Sequence, residues 1–343
     1  MKKNKQALKT KKYRPMPRGD GFIERIAEGV LKGKTVNLRQ AKRLSAIKGD
    51  DIYSLFSSAY RIRKKFRGKK VELCAITNAR SGACAENCAF CAQSGWNKTA
   101  VKVYPLLSEN ELFKKAKQAQ KTGAGYFCIV TSGRRIRKKS DFQEICKAVS
   151  KIRSELKLNV DASLGELSLE EARALKDAGL FRYNHNLETA RSLYPEVCTT
   201  HTYTDRIKTI ENVKKAGLEL CSGGIFGMGE SAAQRLELAF ALREFNPECI
   251  PINFLNSIPG TRFSQQNPLS ALEFLKIIAI LRFLFPRQEI KVCGGREANL
   301  RSLQPFLFLA GADSIIIGDY LTTKGNLPQD DLKMIKDLGL TVH

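Results

Sequence analysis

From about Gly21 the apolar residues recur every three or four positions, through "GFIERIAEGVLKG", "NLRQAKRLSAI" and "DIYSLFSSAYRIRKKF". That period lays one apolar stripe along a helix, so three helices are expected across residues 21–70. Asn37 and Asp50 or Asp51 stand where helix N-caps belong. Beyond Lys70 the rhythm changes to short apolar runs of strand length. They fall at 71–77 (VELCAIT), 125–130 (GYFCIV), 158–164 (LNVDASL) and 181–187 (FRYNHNL). Four more follow at 218–225 (LELCSGGI), 249–255 (CIPINFL), 289–295 (EIKVCGG) and 313–318 (DSIIIG). Amphipathic segments such as "SLEEARALKDAG" and "RIKTIENVKKAG" lie between most of them, each closing on a Gly, as helices often do. Eight strands alternating with helices predict parallel βα units, and eight is the number that closes a (β/α)8 TIM-type barrel. An open doubly wound sheet is the alternative, but its G-x-G-x-x-G fingerprint is absent. The chain therefore divides into a basic tail (1–20), N-terminal helices (21–70) and a barrel (71–343).

Composition narrows the class. At 343 residues and 43% hydrophobic, the chain is able to bury a large core. No apolar run approaches the roughly 18–20 residues of a membrane span, so a cytoplasmic protein is expected. The net charge is +24; residues 1–70 hold 22 Lys or Arg and 5 Asp or Glu, a local balance of +17. The opening "MKKNKQALKTKKYRPMPRG" has no hydrophobic period and is expected to be disordered. It is lysine-rich with two prolines, unlike an arginine- and serine-rich import sequence. A nucleic-acid-binding protein would spread its basic residues over one face with aromatics among them. Here the excess is concentrated before the barrel, and no specific nucleic-acid partner is expected.

The chemistry-bearing residues fall at the ends of the expected strands, where barrel active sites gather. After the first strand comes "SGACAENCAFCAQSG", with Cys84, Cys88 and Cys91 at spacings of four and three. Structural zinc takes four ligands, and the chain offers only His185, His201 and His343 to complete one. A disulfide framework suits short secreted chains instead. Three close thiols suit an iron–sulfur cluster, and three ligands on a four-iron cube leave one iron open. In "YNHNLET", Asn184, Asn186 and Glu188 alternate and so point to one face. Inward polar groups of this kind are costly unless they bind something.

The C-x-x-x-C-x-x-C triplet, with Phe90 before its last cysteine, resembles the radical S-adenosylmethionine (SAM) enzymes. The longer strings "NARSGACAENCAFCAQSG", "YNHNLET", "CSGGIFGMGE", "PINFL" and "GGRE" resemble the biotin synthase family, from about residue 20 to the C-terminus. Hydrogenase-maturation and pyrrolysine-pathway enzymes share the triplet and form the alternative. The resemblance implies that Cys84, Cys88 and Cys91 hold a 4Fe–4S cluster at which S-adenosylmethionine is reductively cleaved. It implies that sulfur from an auxiliary cluster is then inserted into dethiobiotin to make biotin. A reduced flavodoxin or ferredoxin as electron donor, and a homodimer, are implied as well.

By the same resemblance Arg206 pairs with the carboxylate of S-adenosylmethionine, while Asn186 and Glu188 lie near its ribose and the substrate. Asn184 and Asn253 would bond the ureido ring of dethiobiotin, and Gly224 and Gly227 would let backbone approach the adenine. The usual auxiliary 2Fe–2S centre takes three cysteines and an arginine; Cys128, Cys221 and Arg296 match, but Asp161 stands at the third cysteine position. Oxygen is a harder ligand than iron–sulfur centres prefer. Cys74 and Cys293 are extra thiols that offer compensation in a variant cluster. Cys293 and Arg296 are an odd number of residues apart, so an unbroken strand would aim them oppositely; Gly294 and Gly295 supply the expected bend. Cys146, Cys198 and Cys249 are expected to be plain core or surface thiols.

Overall fold

The computed structural model describes residues 21–342; the basic segment 1–20 and His343 lie outside the described residues. Helix α1 (Phe22–Leu31), α2 (Leu38–Ser45) and α3 (Asp51–Arg67) occupy the three periodic segments. Asn37 starts α2 with a capping box: its side chain accepts from the Gln40 N–H, and the Gln40 side chain accepts from the Asn37 N–H. Asp50 stands at the start of α3 but makes no capping bond.

Parallel strands β1 (Lys70–Arg80), β2 (Tyr126–Thr131), β3 (Asn159–Ser163) and β4 (Arg182–Asn184) follow. The apolar run at 218–225 is two short strands, β5 (Glu219–Cys221) and β6 (Gly224–Phe226), both paired with β7 (Cys249–Phe254). The interruption has a steric cause. A Cβ at Gly223 would lie 2.0 Å from the Pro251 carbonyl oxygen, so the two backbones cross too closely for a side chain. Then come β8 (Glu289–Val292) and β9 (Ser314–Ile316), and β9 pairs back onto β1 to close the barrel. A last strand, β10 (Thr341–Val342), extends the start of β1.

The N-terminal helices are part of the barrel's own core. Helix Ala271–Leu284, "ALEFLKIIAILRFL", is apolar around nearly its whole circumference because α2 and α3 cover the face that would otherwise meet water. Its Arg282 is fully buried, and its guanidinium bonds the Gly311, Phe285 and Gln288 carbonyls and the Asp313 carboxylate. Among the described residues no helix is long and apolar enough to cross a membrane.

Inside the barrel the strand pleat carries polar groups. Arg182 on β4 reaches Glu289 on β8 at 2.9 Å, and Lys291 on β8 lies 3.7 Å from Asp161 on β3. These strands are not neighbours, so the contacts cross the barrel interior. All four residues are buried.

Candidate active site

The loop after β1 closes on itself through backbone bonds. The Cys84 N–H donates to the Gln93 carbonyl at 3.1 Å, and the Gly95 N–H to the Cys84 carbonyl at 2.8 Å. The Asn97 amide donates to the Cys88 and Cys91 carbonyls at 3.1 and 2.9 Å. This fixes the backbone of Cys84, Cys88 and Cys91 while the residues line one cavity. Burial pushes the Cys91 thiol up to about 11, opposed by the backbone N–H groups of Gln93 and Ser94.

The end of β4 and the segment after it face the same cavity with Asn184, Asn186 and Glu188, joined by Arg206. Glu188 has a left-handed backbone, φ 68°, and its carboxylate accepts from the Asn186 amide at 3.3 Å. Burial raises the Glu188 pKa, with Arg206 pulling the other way. Arg206 is partly buried and held at each nitrogen: Nε donates to the Tyr194 hydroxyl at 2.6 Å and Nη1 to the Asn186 carbonyl at 3.0 Å. Its Nη2 lies 3.0 Å from His201 Nε2, and Nη1 is 3.6 Å from Glu188. Burial works against the charge, but Glu188 and Tyr194 more than restore it.

Gly224, Gly227 and Asn253 lie beside this cavity's wall rather than on its lining. A Cβ at Gly224 would strike the Glu188 carbonyl at 2.4 Å, and Gly227 has φ 95° with Phe274 close by. Contacts inside the protein already require both glycines. The Asn253 side chain spans two backbones, donating to the Gly224 carbonyl at 3.5 Å and accepting from the Gly294 N–H at 3.2 Å.

Deeper in the barrel a second set of thiols gathers. Cys74, Cys128 and Cys293 pack together with Ile316, and Cys221 is the register partner of Cys249 on the adjacent strand. Burial drives the Cys74 thiol up to about 12 and raises those of Cys128, Cys249 and Cys293. The cation among them is Lys291. Burial opposes its charge, but Cys249, Cys74, Glu289 and Cys221 outweigh that and raise its pKa.

The expectation for Arg296 is corrected. Its guanidinium is fully buried but bonds Asp331 at 2.6 Å, the Ile316 carbonyl at 3.2 Å and Gln304. The glycines do bend the chain, with Gly295 at φ 84°, but the bend opens helix Arg296–Leu300 instead of returning Arg296 to the thiols. Lys291, two residues before Cys293, shares its face by strand parity.

Sequence reasoning also missed the surroundings of Cys198. Its sulfur lies 3.7 Å from Cys88 Sγ and 3.3 Å from His201 Nδ1, and His201 Nδ1 is 2.5 Å from Glu86 Oε2. The hydrogen bond from Cys88 holds Cys198 down to about 3, against burial, and raises Cys88 in turn. No spacing rule links residues 110 apart. Cys249 is buried as expected, beside Cys221 in the strand register.

Residues 79–242 match the radical SAM superfamily, and residues 251–341 match the biotin and thiamin synthesis associated domain. A biotin synthase of Pelobacter propionicus is 48% identical over 321 residues, covering 94% of this chain and 98% of its own length. One of Geobacter sulfurreducens is 47% identical over 322 residues, with 94% and 98% covered. Among solved structures, methylornithine synthase matches with a TM-score of 0.82 at 17% identity, over 93% of this chain and 97% of its own. The FeFe-hydrogenase maturase HydG of Carboxydothermus hydrogenoformans gives 0.79 at 19%, over 94% and 79%. At such identities the two structures share the fold alone. The near-half identity along almost the full length of both chains is what decides: this chain belongs to the biotin synthase family of the radical SAM superfamily.

Proposed function

We propose that the chain forms biotin by inserting sulfur into dethiobiotin, with S-adenosylmethionine as co-substrate and two iron–sulfur clusters. One observation carries the reading. Asn184 lines the cavity of the Cys84, Cys88 and Cys91 loop, and its amide nitrogen lies 3.2 Å from Cys128 Sγ in the deeper thiol set. Asn184 thus links the cavity of the first thiol set to the deeper one.

The residues fit the groups the family implies. Thiolate is the ligand iron–sulfur centres usually take, and both sets supply it. Around the deeper set the buried Asp161 Oδ1 and Oδ2, Asn184 Oδ1 and Lys291 Nζ have no hydrogen-bond partner. Native interiors rarely leave such atoms unsatisfied, so the space suits a further polar group. Cys84, Cys88 and Cys91 would hold the 4Fe–4S cluster, and Cys74, Cys128, Cys221 and Cys293 an auxiliary one of the 2Fe–2S or a variant type. When bound, the first supplies an electron and an open iron for cleavage of S-adenosylmethionine, and the second supplies sulfur.

The chain's own residues bind and orient. Arg206 offers a partly buried guanidinium to a carboxylate, with Glu188 as its counter-charge. Asn186 bonds Glu188 and would meet the ribose. Asn184 presents a carboxamide to the cavity, which matches a ureido ring because it both donates and accepts; Asn253 would join it by turning from the Gly224 and Gly294 backbones. The barrel wall keeps water from a reactive centre. A reduced flavodoxin or ferredoxin as donor, and a homodimer, belong to the same proposal.

The test separates the two thiol sets. Cys84→Ala, Cys88→Ala or Cys91→Ala should abolish reductive cleavage of S-adenosylmethionine under strong reductant. Cys74→Ala and Cys293→Ala should keep cleavage yet make no biotin and lose the auxiliary iron by Mössbauer spectroscopy. Full cleavage by any triplet variant, or biotin formation by both deeper variants, would refute the assignment.

A further inference from the structure

The contact between Cys88 and Cys198 has the dimensions of a one-ion site. Two thiolates bound about 2.3 Å from one tetrahedral metal stand about 3.8 Å apart, and a thiolate and an imidazole nitrogen about 3.5 Å apart. The observed separations are 3.7 Å between Cys88 Sγ and Cys198 Sγ and 3.3 Å between Cys198 Sγ and His201 Nδ1. All three donor atoms lie within 4.8 Å of one another. Cysteines that each take a different iron of a cluster have no reason to approach so closely.

The arrangement is held from both sides. Asn87, beside Cys88, accepts from the Thr199 N–H at 2.9 Å and donates to the Thr199 hydroxyl at 2.7 Å, which ties the triplet loop to the Cys198 loop. Glu86 Oε2 contacts His201 Nδ1 at 2.5 Å and accepts from the Thr200 hydroxyl at 2.6 Å. An ion on Nδ1 displaces the proton shared with Glu86, which frees that carboxylate to be a fourth ligand. The ring proton then sits on Nε2, so Arg206 must leave His201, and Glu188 is 3.6 Å away to receive it.

We propose that Cys88, Cys198 and His201, with Glu86, form a mononuclear site for a borderline-soft divalent ion such as Zn²⁺ or Fe²⁺. Occupancy excludes the 4Fe–4S cluster, because Cys88 belongs to both. The ligands of the proposed site share only Cys88 with the reading of the function, and the proposal does not depend on the substrate.

The test uses full-length protein prepared free of clusters, titrated anaerobically with Co²⁺ as the probe. Tetrahedral thiolate-bound cobalt has intense visible bands and a thiolate-to-metal charge-transfer band in the near ultraviolet. The deeper thiols contribute equally in every variant, so differences between variants read this site. Cys198→Ala and Cys88→Ala should each remove one equivalent of the signal or weaken binding at least tenfold; Cys84→Ala should keep it, with circular dichroism confirming the fold of each. One equivalent of Zn²⁺ added before iron and sulfide should slow rebuilding of the first cluster in the unaltered protein but not in Cys198→Ala. A cobalt signal that survives Cys198→Ala, or one lost equally in Cys84→Ala, would place the ion on the triplet and overturn the proposal. Failure here would leave cleavage of S-adenosylmethionine untouched as a separate measurement.

Discussion

The Lys291 ammonium and the Asp161 carboxylate lie 3.7 Å apart in the barrel interior, both buried and neither hydrogen-bonded. A half-satisfied buried pair is poorly compensated, since each ion has lost its hydration without full replacement. Burial accordingly raises the Asp161 pKa, with Arg182 and Lys291 opposing the rise. The thiols around Lys291 are the groups its charge serves best. Asp161→Ala should therefore retain the auxiliary cluster, whereas Lys291→Met should lose much of it and Lys291→Arg should preserve it. Iron and sulfide per chain after anaerobic reconstitution decide the matter. Loss in Asp161→Ala with Lys291→Met intact would restore the carboxylate as the ligand.

Glu289 adds a pH dependence to the same interior. Burial pushes its carboxyl up, but Lys291 and Arg182 together pull it down to about 2 from an ordinary 4.5. A depressed folded-state pKa gives stability that is present above the unfolded value and lost as pH falls through the folded one. Removing one partner from such a buried network costs about 3–5 kcal/mol. Glu289→Gln should show its full deficit at neutral pH, and the deficit should close between about pH 4.5 and 2. Urea unfolding of cluster-free protein at several pH values measures it; a deficit independent of pH would mean that the ion pairs do not carry it.

Arg206 gives a kinetic prediction. A lysine keeps the charge but loses the fork that bonds Tyr194, Asn186 and a carboxylate together. Arg206→Lys should raise KM for S-adenosylmethionine at least tenfold, about 1.4 kcal/mol, with a smaller change in kcat. Equal affinity by direct binding of the co-substrate would reduce Arg206 to a structural role.

What the sequence made legible follows from period and parity. Eight strand runs and their helices are local patterns, and the triplet and "YNHNLET" lie within single segments. Even the inward charges left a trace, because Glu289, Lys291 and Cys293 alternate along one strand. That parity argues against Arg296, yet the expected bend at Gly294 and Gly295 sets the objection aside, and the sequence alone does not single out Lys291. Three features had no local signature. The break between β5 and β6 is imposed by Pro251 from another strand. The apolar circumference of helix Ala271–Leu284 makes sense only once α2 and α3 cover it. Cys198 meets Cys88 because bonds from Asn87 and Ala89 join two loops distant in sequence.

The basic segment offers a simple deletion. Residues 1–18 contribute no candidate ligand, and the core starts with Ile23 in α1. Removing them should leave biotin formation per chain within about twofold and thermal stability unchanged, since a polar segment without hydrophobic period or candidate ligand is expected to add little to either. A large loss of turnover in a truncation with full cluster content would assign the segment a part in donor docking.

The crossing of Gly223 over β7 yields the sharpest paired test. An added methyl at Gly223 would meet the Pro251 carbonyl oxygen at 2.0 Å and its ring carbon at 2.9 Å, and no side-chain rotation relieves a clash with backbone. The β5–β6 segment would have to move, and such overpacking costs about 1–3 kcal/mol. Movement has a further effect. The Gly223 carbonyl accepts from the Leu187 and Glu188 N–H groups at 3.1 and 3.2 Å, and its own N–H donates to Asn186 Oδ1 at 3.2 Å. The cavity residues Asn186 and Glu188 thus take their positions from this glycine. Its neighbour Ser222 is equally buried, but its hydroxyl has no partner, so Ser222→Ala removes an unsatisfied polar atom and no contact. Gly223→Ala should lower both stability and affinity for S-adenosylmethionine, while Ser222→Ala should match or exceed the parent in stability and leave affinity unchanged. Denaturant midpoints with equilibrium binding of the co-substrate check both; a Gly223→Ala protein of parental stability and affinity would show that the strand gap relaxes without moving the site.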